Sequence, residues 1–357
     1  MMMNTRFDFI VFSVVIVNYN GKAFLENCVR SILNNTYDNY EIIIVDNAST
    51  DGSINNIYKK FTHELQKIKI VTLEENYGPA RARNEGVKVS QGKYVGFLDN
   101  DTEVHKDWII EAAKDFDRNR ELGIIQCKLL FLKEPNKIDC VGEFLGPNGF
   151  LIQRAKYKEI DEGQYDEKVE LLAAKSAGMF IRKDTFNKIG GFDDDFFIYM
   201  EETDLCWRSW LAGYKTAFCS TSLIYHRYST TLDIVDKNRT NYLIRFHGTK
   251  NYILTLIKNL GSLQLILVLP KHLIIWNGFI LLLIVRGNFR SALNVMRGIL
   301  WNLVHLPETL KKRSYIQSRR LLSDRMLLEI VMKKESITTK IRQFLASQKQ
   351  TKTPENS

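Results

Sequence analysis

Nowhere in this chain do apolar residues run uninterrupted for the roughly 20 positions that a bilayer-crossing helix needs. The longest clean stretch is Gly278–Val285, and the wider apolar segment Gly261–Val285 is broken by Pro270, Lys271, His272, Asn277 and Gly278. This pattern favours a re-entrant or interfacial segment over a full span. Cysteine is sparse as well. The five residues Cys28, Cys127, Cys140, Cys206 and Cys219 are odd in number and widely spaced, with no Cys-x-x-Cys or Cys/His cluster. That argues against a disulfide framework and a zinc site, and for reduced thiols in a core. Nor does the sequence lead one to expect a cleavable signal peptide. The apolar stretch Phe9–Val17 follows Asp8 and runs into Asn18, Tyr19 and Asn20 without a small-residue cleavage site, so it reads as a buried first strand.

What the chain does contain is unevenly distributed. Hydrophobic residues make up 45% and charged residues 25% of 357 positions, a globular composition with room for one large α/β domain plus an appended part. The net charge of +9 hides a division: residues 1–230 hold 29 Lys+Arg against 34 Asp+Glu, whereas residues 231–357 hold 21 against 7. A basic half of this kind needs a polyanionic neighbour, either an anionic membrane or a nucleic acid. Its cations (Arg286, Arg290, Arg297, Lys311, Lys312, Arg313, Arg319 and Arg320) lie among Leu, Ile and Trp301, as in a basic amphipathic surface facing anionic lipid. Nucleic-acid binding is disfavoured because the neighbours are aliphatic rather than aromatic stacking residues. The tail after Gln348 reads as disordered.

The front half alternates β-branched apolar runs with helical spacing. Strands are predicted at 12–17, 40–45, 68–73 and 94–98, with helices over 22–33, 54–61 and 78–89. Near-continuous apolar runs, each followed by a helix, imply a parallel sheet covered on both faces. Ligands bind such sheets at the carboxyl ends of the strands, and polar residues gather there: Asn18–Asn20, Asp46–Ser53 and Asp99–Asp101.

Several segments carry chemistry. Asp99-Asn100-Asp101 places two carboxylates just beyond a buried strand, a compact oxygen site for Mg²⁺ or Mn²⁺ bridging a diphosphate. Asp46 closes the second strand, where a nucleobase N–H or ribose hydroxyl can be accepted; its neighbours through Ser53 equally suit turns and caps. Asn76-Tyr77-Gly78-Pro79-Ala80-Arg81-Ala82-Arg83-Asn84 opens a helix whose positive end suits a diphosphate, with Arg81 or Arg83 nearby, or paired to Glu85. In Gly190–Arg208 an aromatic, acidic loop leads into a helix with Glu201, Glu202 and Asp204. Asp204 and Arg208 suit a helix ion pair, which leaves Glu202, beside Phe196, Phe197 and Tyr199, as a carboxylate whose pKa apolar surroundings can raise toward that of a general base. His226, in His226-Arg227-Tyr228-Ser229-Thr230, is a third metal ligand or a diphosphate donor.

Taken in order, Val14-Val15-Ile16-Val17-Asn18-Tyr19-Asn20, Asp46–Ser53, Asn76–Asn84, Phe97–Thr102, Gly190–Arg208 and His226–Thr230 resemble glycosyltransferase family 2, and most closely its rhamnosyltransferase-like branch. The resemblance implies an α/β GT-A (Rossmann-like) catalytic domain with a mainly parallel sheet over residues 1–235. A basic helical membrane-associated region over 236–345 and a tail over 346–357 follow. It implies a nucleotide-sugar donor, UDP- or dTDP-linked, held by Val17, Asn18, Asn20, Asp46, Asn76, Arg81, Asp99 and Asn100, and a divalent cation on Asp101, Asp99 and His226. It implies Glu202 as the base for inverting transfer to a glycan or polyprenyl-linked acceptor at the cytoplasmic face of the membrane, with Glu201 and Asp204 as the other acids of that motif. The processive members' Gln-x-x-Arg-Trp is matched only by Gln317-Ser318-Arg319-Arg320-Leu321, without the Trp, so addition of one or a few sugars is expected rather than polymerisation. A sugar nucleotidylyltransferase would need a glycine-rich basic loop where Asn18–Lys22 stands, and a scaffold would have no need of the intact acidic set.

Overall fold

Four parallel strands form one half of the main sheet, in the order β3-β2-β1-β4. They are β1 (Phe12–Asn18), β2 (Tyr40–Asp46), β3 (Ile68–Thr72) and β4 (Tyr94–Asp99). The computed structural model describes residues 11–227 and 237–333. Alternation along β1 separates the two cores. Phe12, Val14 and Ile16 pack with Leu25, Cys28, Val29 and Ile32 of α1 (Leu25–Leu33), with Ile57 of α2 (Ser53–Lys60) and with Trp108 and Phe116. Val15 packs on the opposite face with Ala80, Ala82 and Val87 of α3 (Gly78–Val89). Both faces are thus covered, which is why these strands read as apolar runs.

The other half of the sheet is mixed, and only part of it was foreseen. β10 (Gly178–Arg182) lies antiparallel between β4 and the fully buried β6 (Leu122–Phe131), and β11 (Lys215–His226) runs parallel to β6. The short β5 (Thr102–Val104) pairs antiparallel with β11, and β7 (Glu134–Cys140) with β6. A separate hairpin joins β8 (Glu143–Leu145) to β9 (Leu151–Gln153). Helices α4 (Trp108–Arg118), α5 (Lys183–Ile189) and α6 (Glu201–Leu211) complete this part. All five cysteines are buried and unpaired.

A helical layer follows: α7 (Lys237–Tyr242), a π-helical turn (Leu243–His247), α8 (Gly248–Asn259), α9 (Ser262–Val285), α10 (Phe289–Val304), α11 (Leu306–Ser318) and α12 (Asp324–Val331). It is not a loose appendage. Leu256, Leu260, Val268, Ile316, Leu327 and Val331 share one core with Trp207, Trp210 and Leu211 of α6.

Two expectations change here. Residues 262–285 form one helix of 24 residues, long and apolar enough to cross a membrane, so the interruptions do not break it. Its His272 is buried, with Nδ1 3.0 Å from the Asn148 carbonyl oxygen and Nε2 accepting from Trp276 Nε1 at 2.9 Å. The basic residues, for their part, do not all face outward. Lys312 pairs with Asp193 and Asp195, Arg313 donates to the carbonyls of Ile257 and Leu260, and Arg320 pairs with Asp324. Arg286, Arg290, Arg297, Lys311 and Arg319 remain exposed. Tyr228–Thr230 and the tail 346–357 lie outside the described residues.

The seat of α3 on the sheet has no spare volume at Gly86, where an added Cβ would meet Val15 Cγ1 at 2.4 Å and Val45 Cγ2 at 3.0 Å. Gly86→Val is therefore expected to lower stability by about 1–3 kcal/mol through overpacking. Urea unfolding would show it as a lower midpoint at unchanged slope, and an unchanged midpoint would contradict the packing.

Candidate active site

Pairing register brings three strand ends together. Asn18 is level with Asp46, and Val17 with Asp99, so β1, β2 and β4 finish at one edge. Asn18 is fully buried and organises that edge. Its Nδ2 donates to Asp46 Oδ1 at 3.0 Å, Ser49 Oγ at 3.0 Å and Ser53 Oγ at 2.9 Å, and its Oδ1 accepts from Asn100 Nδ2 at 2.9 Å. Asn20, at φ 51°, donates its N–H to Ser49 Oγ and accepts from the Thr50 N–H, both at 2.9 Å. Asn47 Nδ2 donates to Asn76 Oδ1 at 2.9 Å, and Asn47 Oδ1 accepts from the Tyr77 N–H at 3.0 Å. The loops that follow β1, β2, β3 and β4 are thus one hydrogen-bonded unit.

Beside this unit, the ligating atoms of Asp99, Asp101 and His226 all lie within 4.8 Å of one another. Antiparallel pairing of β11 with β5 sets His226 opposite Thr102 and so next to Asp101. His226 Nδ1 is 2.7 Å from Asp139 Oδ2, and Nε2 is 3.5 Å from Asp101 Oδ1. A carboxylate on one ring nitrogen directs the other toward a cation, as around many metal-bound histidines. Burial opposes charge on this imidazole, yet Asp101 and Asp139 lift its pKa to about 10. Two carboxylates and one imidazole suit a hard or borderline divalent ion, and the proton on His226 would have to leave as it bound.

The metal-type cluster is tied to the acidic helix through Arg83. This guanidinium is 2% exposed and lies 2.8 Å from Asp99 Oδ1 and 2.8 Å from Glu201 Oε1. Glu202 faces Lys175 Nζ at 3.6 Å, and Lys175 in turn is 2.9 Å from Glu143. The Oε2 atoms of Glu201 and Glu202 are both buried and without a hydrogen-bond partner. Buried unsatisfied oxygens are costly and collect where chemistry needs them. The carboxyl that is lifted is Glu201: burial first, then the adjacent Glu202, outweigh Arg83 and hold its pKa up at about 8. Asp204 is occupied otherwise. It is fully buried and accepts from Arg208 Nε at 2.8 Å, Lys258 Nζ at 2.9 Å and Asn259 Nδ2 at 2.9 Å.

Glu201 and Glu202 are presented by a loop in an unfavourable backbone. Phe197, Tyr199 and Met200 have φ of 60°, 68° and 67°. Each such non-glycine residue costs on the order of 1–3 kcal/mol and persists only where surroundings enforce it. The Phe197 carbonyl oxygen accepts from Ala80 N–H at 3.4 Å, so the positive end of α3, expected to receive a diphosphate, is covered by this loop. Arg81 is exposed, its guanidinium 4.0 Å from the centre of the Tyr77 ring, and it is Arg83 that reaches the carboxylates. The helical phase was the available signal, since Arg83 shares a face with Ala80, Gly86 and Val87, all buried. Asp139 and Lys175 had no such signal, because each depends on pairings in the mixed half of the sheet.

Residues 13–180 match the protein family described as Glycosyl transferase family 2. The chain is 41% identical over 95 residues to the putative teichuronic acid biosynthesis glycosyltransferase TuaG of Bacillus subtilis, covering 27% of this chain and 37% of that one. It is 28% identical over 214 residues to glycosyltransferase AglE of Haloferax volcanii, covering 58% and 63%. The chain thus spans less than two thirds of these relatives. Among solved structures, mannosyltransferase PcManGT from Pyrobaculum calidifontis, in complex with GDP-Man and Mn²⁺, matches with a TM-score of 0.53 at 16% identity over 86% of this chain and 85% of that one. The shared architecture is the GT-A fold.

The lifted Glu201 carboxyl has a consequence for stability. The folded protein keeps that proton up to about pH 8, whereas an unperturbed carboxyl releases it near 4.5. Between those values the native state binds more protons than the unfolded chain, so stability falls as pH rises. Glu201→Gln, which cannot ionise, is expected to lose less stability than the wild type across this window. Parallel pH–stability curves from urea unfolding would contradict the assignment.

Proposed function

We propose, from the match of residues 13–180 to glycosyl transferase family 2 and from the geometry of the site, that the protein is an inverting, divalent-cation-dependent glycosyltransferase. It moves a hexosyl or rhamnosyl unit from a UDP- or dTDP-linked donor to a hydroxyl of a glycan or polyprenyl-linked acceptor in cell-surface polysaccharide or glycolipid synthesis, without processive polymerisation. One observation carries this reading: Asp99, Asp101 and His226 converge at the strand ends, and Arg83 joins Asp99 to the helix bearing Glu201 and Glu202.

Asp101, Asp99 and His226 are the residues that would hold Mg²⁺ or Mn²⁺. When bound, the cation supplies charge neutralisation for the departing nucleoside diphosphate. Asp46, Asn76 and the Asn18–Asn20 turn form the surface that orients the nucleoside, with Val17 and Asn100 beside it; Arg81, at the rim, meets the donor from solvent. Glu202 accepts the proton of the acceptor hydroxyl as that oxygen bonds to the anomeric carbon and the carbon–oxygen bond to the diphosphate breaks from the opposite side. Glu201, held by Arg83, stays beside it as the protonated partner.

The apolar faces of α9 and α10 support seating on a membrane. Leu263, Ile266, Ile274, Leu281 and Val285, together with Phe289, Leu303 and Val304, are all more than half exposed, with Arg286, Arg290 and Arg297 nearby. An apolar, basic surface of this extent fits anionic lipid at the cytoplasmic face, where lipid-linked acceptors would be met.

Calorimetric titration with UDP-glucose, UDP-N-acetylglucosamine, dTDP-rhamnose and GDP-mannose, each with and without Mn²⁺, tests the reading. One donor is expected to bind in a metal-dependent way and to lose that dependence in Asp101→Ala. Glu202→Gln should bind the donor normally and turn over about 10²–10⁴-fold more slowly. Folded protein that binds no donor in the presence of metal, or near-normal turnover by Glu202→Gln, would overturn it.

A further inference from the structure

The loop 193–200 makes most of its polar contacts with the helical layer rather than with itself. Asn251 Nδ2 donates to three loop carbonyls, those of Phe196 at 3.0 Å, Ile198 at 2.8 Å and Tyr199 at 2.7 Å. The Lys250 ammonium donates to the Asp195 carbonyl. Lys258 Nζ lies 2.6 Å from Asp193 and 2.9 Å from Asp204, and Lys312 Nζ lies 2.5 Å from Asp193 and 2.6 Å from Asp195. The Phe197 ring stacks on His247 with centroids 5.1 Å apart and planes at 23°. Leu254 closes the apolar side with Phe196 and Met200.

His247, Asn251, Leu254 and Lys258 recur at three- and four-residue intervals, so one stripe running from the π-helical turn along α8 makes most of these contacts, with Lys250 and Lys312 adding the rest. The stripe begins at the end of the π-helical turn Leu243–His247, and such turns tend to mark functional sites. Asn251 and Lys258 are 0% and 1% exposed, so the bonds made by Asn251 Nδ2 and Lys258 Nζ lie inside the protein. Apolar side chains there would cover the loop equally well, but they would not dictate the path of its carbonyls. An uncharged amide donating to the carbonyls of Phe196, Ile198 and Tyr199 does, in the segment where Phe197, Tyr199 and Met200 take up positive φ.

We infer that α8 and α11 set the geometry of the reaction through this loop: Asn251, Lys258 and Lys312 are positioning residues that fix where Glu201 and Glu202 stand against Asp99 and Arg83. This rests on the transferase reading given above. The basic layer then has an inward task besides any contact with lipid, and displacement of α8 would be felt at the two carboxylates directly. Misplacing a reacting group by about 1 Å can cost on the order of 10²-fold in rate.

Two variants test this in the full-length protein. Lys312→Met removes a half-buried cation at the edge of the cluster and leaves Asp193 with Lys258; Asn251→Asp keeps the shape but turns a donor toward three carbonyls into an acceptor. Three readouts are followed: hydrogen exchange of peptides covering 193–204, donor affinity by calorimetry, and Mn²⁺-dependent hydrolysis of the four nucleotide sugars across pH. The expected result is faster exchange confined to 193–204, donor Kd within about twofold of wild type, and kcat lower by about tenfold for Lys312→Met and about a hundredfold for Asn251→Asp. The pH–kcat profile should be displaced, and Lys312→Arg should restore it. Should Asn251→Asp fail to fold, Lys312→Met decides alone. Quickened exchange with unchanged kcat and pH profile would overturn the inference, as would exchange identical to wild type. Wild-type protein that binds and hydrolyses none of the four sugars would instead sink the transferase reading, while the exchange measurement still reports on the clamp.

Discussion

A single buried guanidinium holds the two halves of the site together. Arg83 leaves α3, is almost wholly removed from water, and spans Asp99 at the end of β4 and Glu201 at the start of α6. Desolvating a guanidinium is expensive and is offset only by well-placed carboxylates, so α3, β4 and α6 are constrained to one relative placement. Gly86 allows α3 to approach β1 and β2 closely enough for that reach, and the Asn84 side chain bonds the loop at Phe192 and Asp194. Burial first, and then the neighbouring Glu202, lift the pKa of Glu201 against the opposing pull of Arg83.

The same economy of charge shapes the helical layer. A surplus of +14 in residues 231–357 suggests an outward-facing basic surface, yet much of it is turned inward. Lys258 and Lys312 neutralise Asp193, Asp195 and Asp204, and Arg313 and Arg320 tie helix ends. Among the described residues, Arg286, Arg290 and Arg297 stay exposed near the apolar faces of α9 and α10. The layer therefore completes the acidic end of the sheet domain on one side and offers an apolar surface on the other.

Much of the strand-end cluster was legible in the sequence because β1, β2 and β4 are near-continuous apolar runs whose carboxyl ends carry Asn18, Asp46 and Asp99. Parallel register then places those residues together without further information. His226 was legible for the related reason that it follows an apolar strand. The mixed half of the sheet was not, since the antiparallel insertion of β10 depends on long-range pairing that leaves no local periodicity. Asp139 and Lys175 were lost with it. Choosing Arg83 over Arg81 required the helical phase, and recognising Asn251 and Lys258 required knowing that an apolar-looking helix turns one polar stripe toward the protein. Polar residues at helical spacing within an apolar segment were the available sign.

The most direct test of the central claim, that the strand-end cluster and the two glutamates form one metal-dependent site joined by Arg83, is anomalous diffraction at the manganese edge from crystals grown with Mn²⁺ and UDP. The account predicts a peak bonded to Asp101 and His226, with Arg83 still bridging Asp99 and Glu201. A peak away from these residues, or a bound nucleotide with Arg83 withdrawn from both carboxylates, would contradict it.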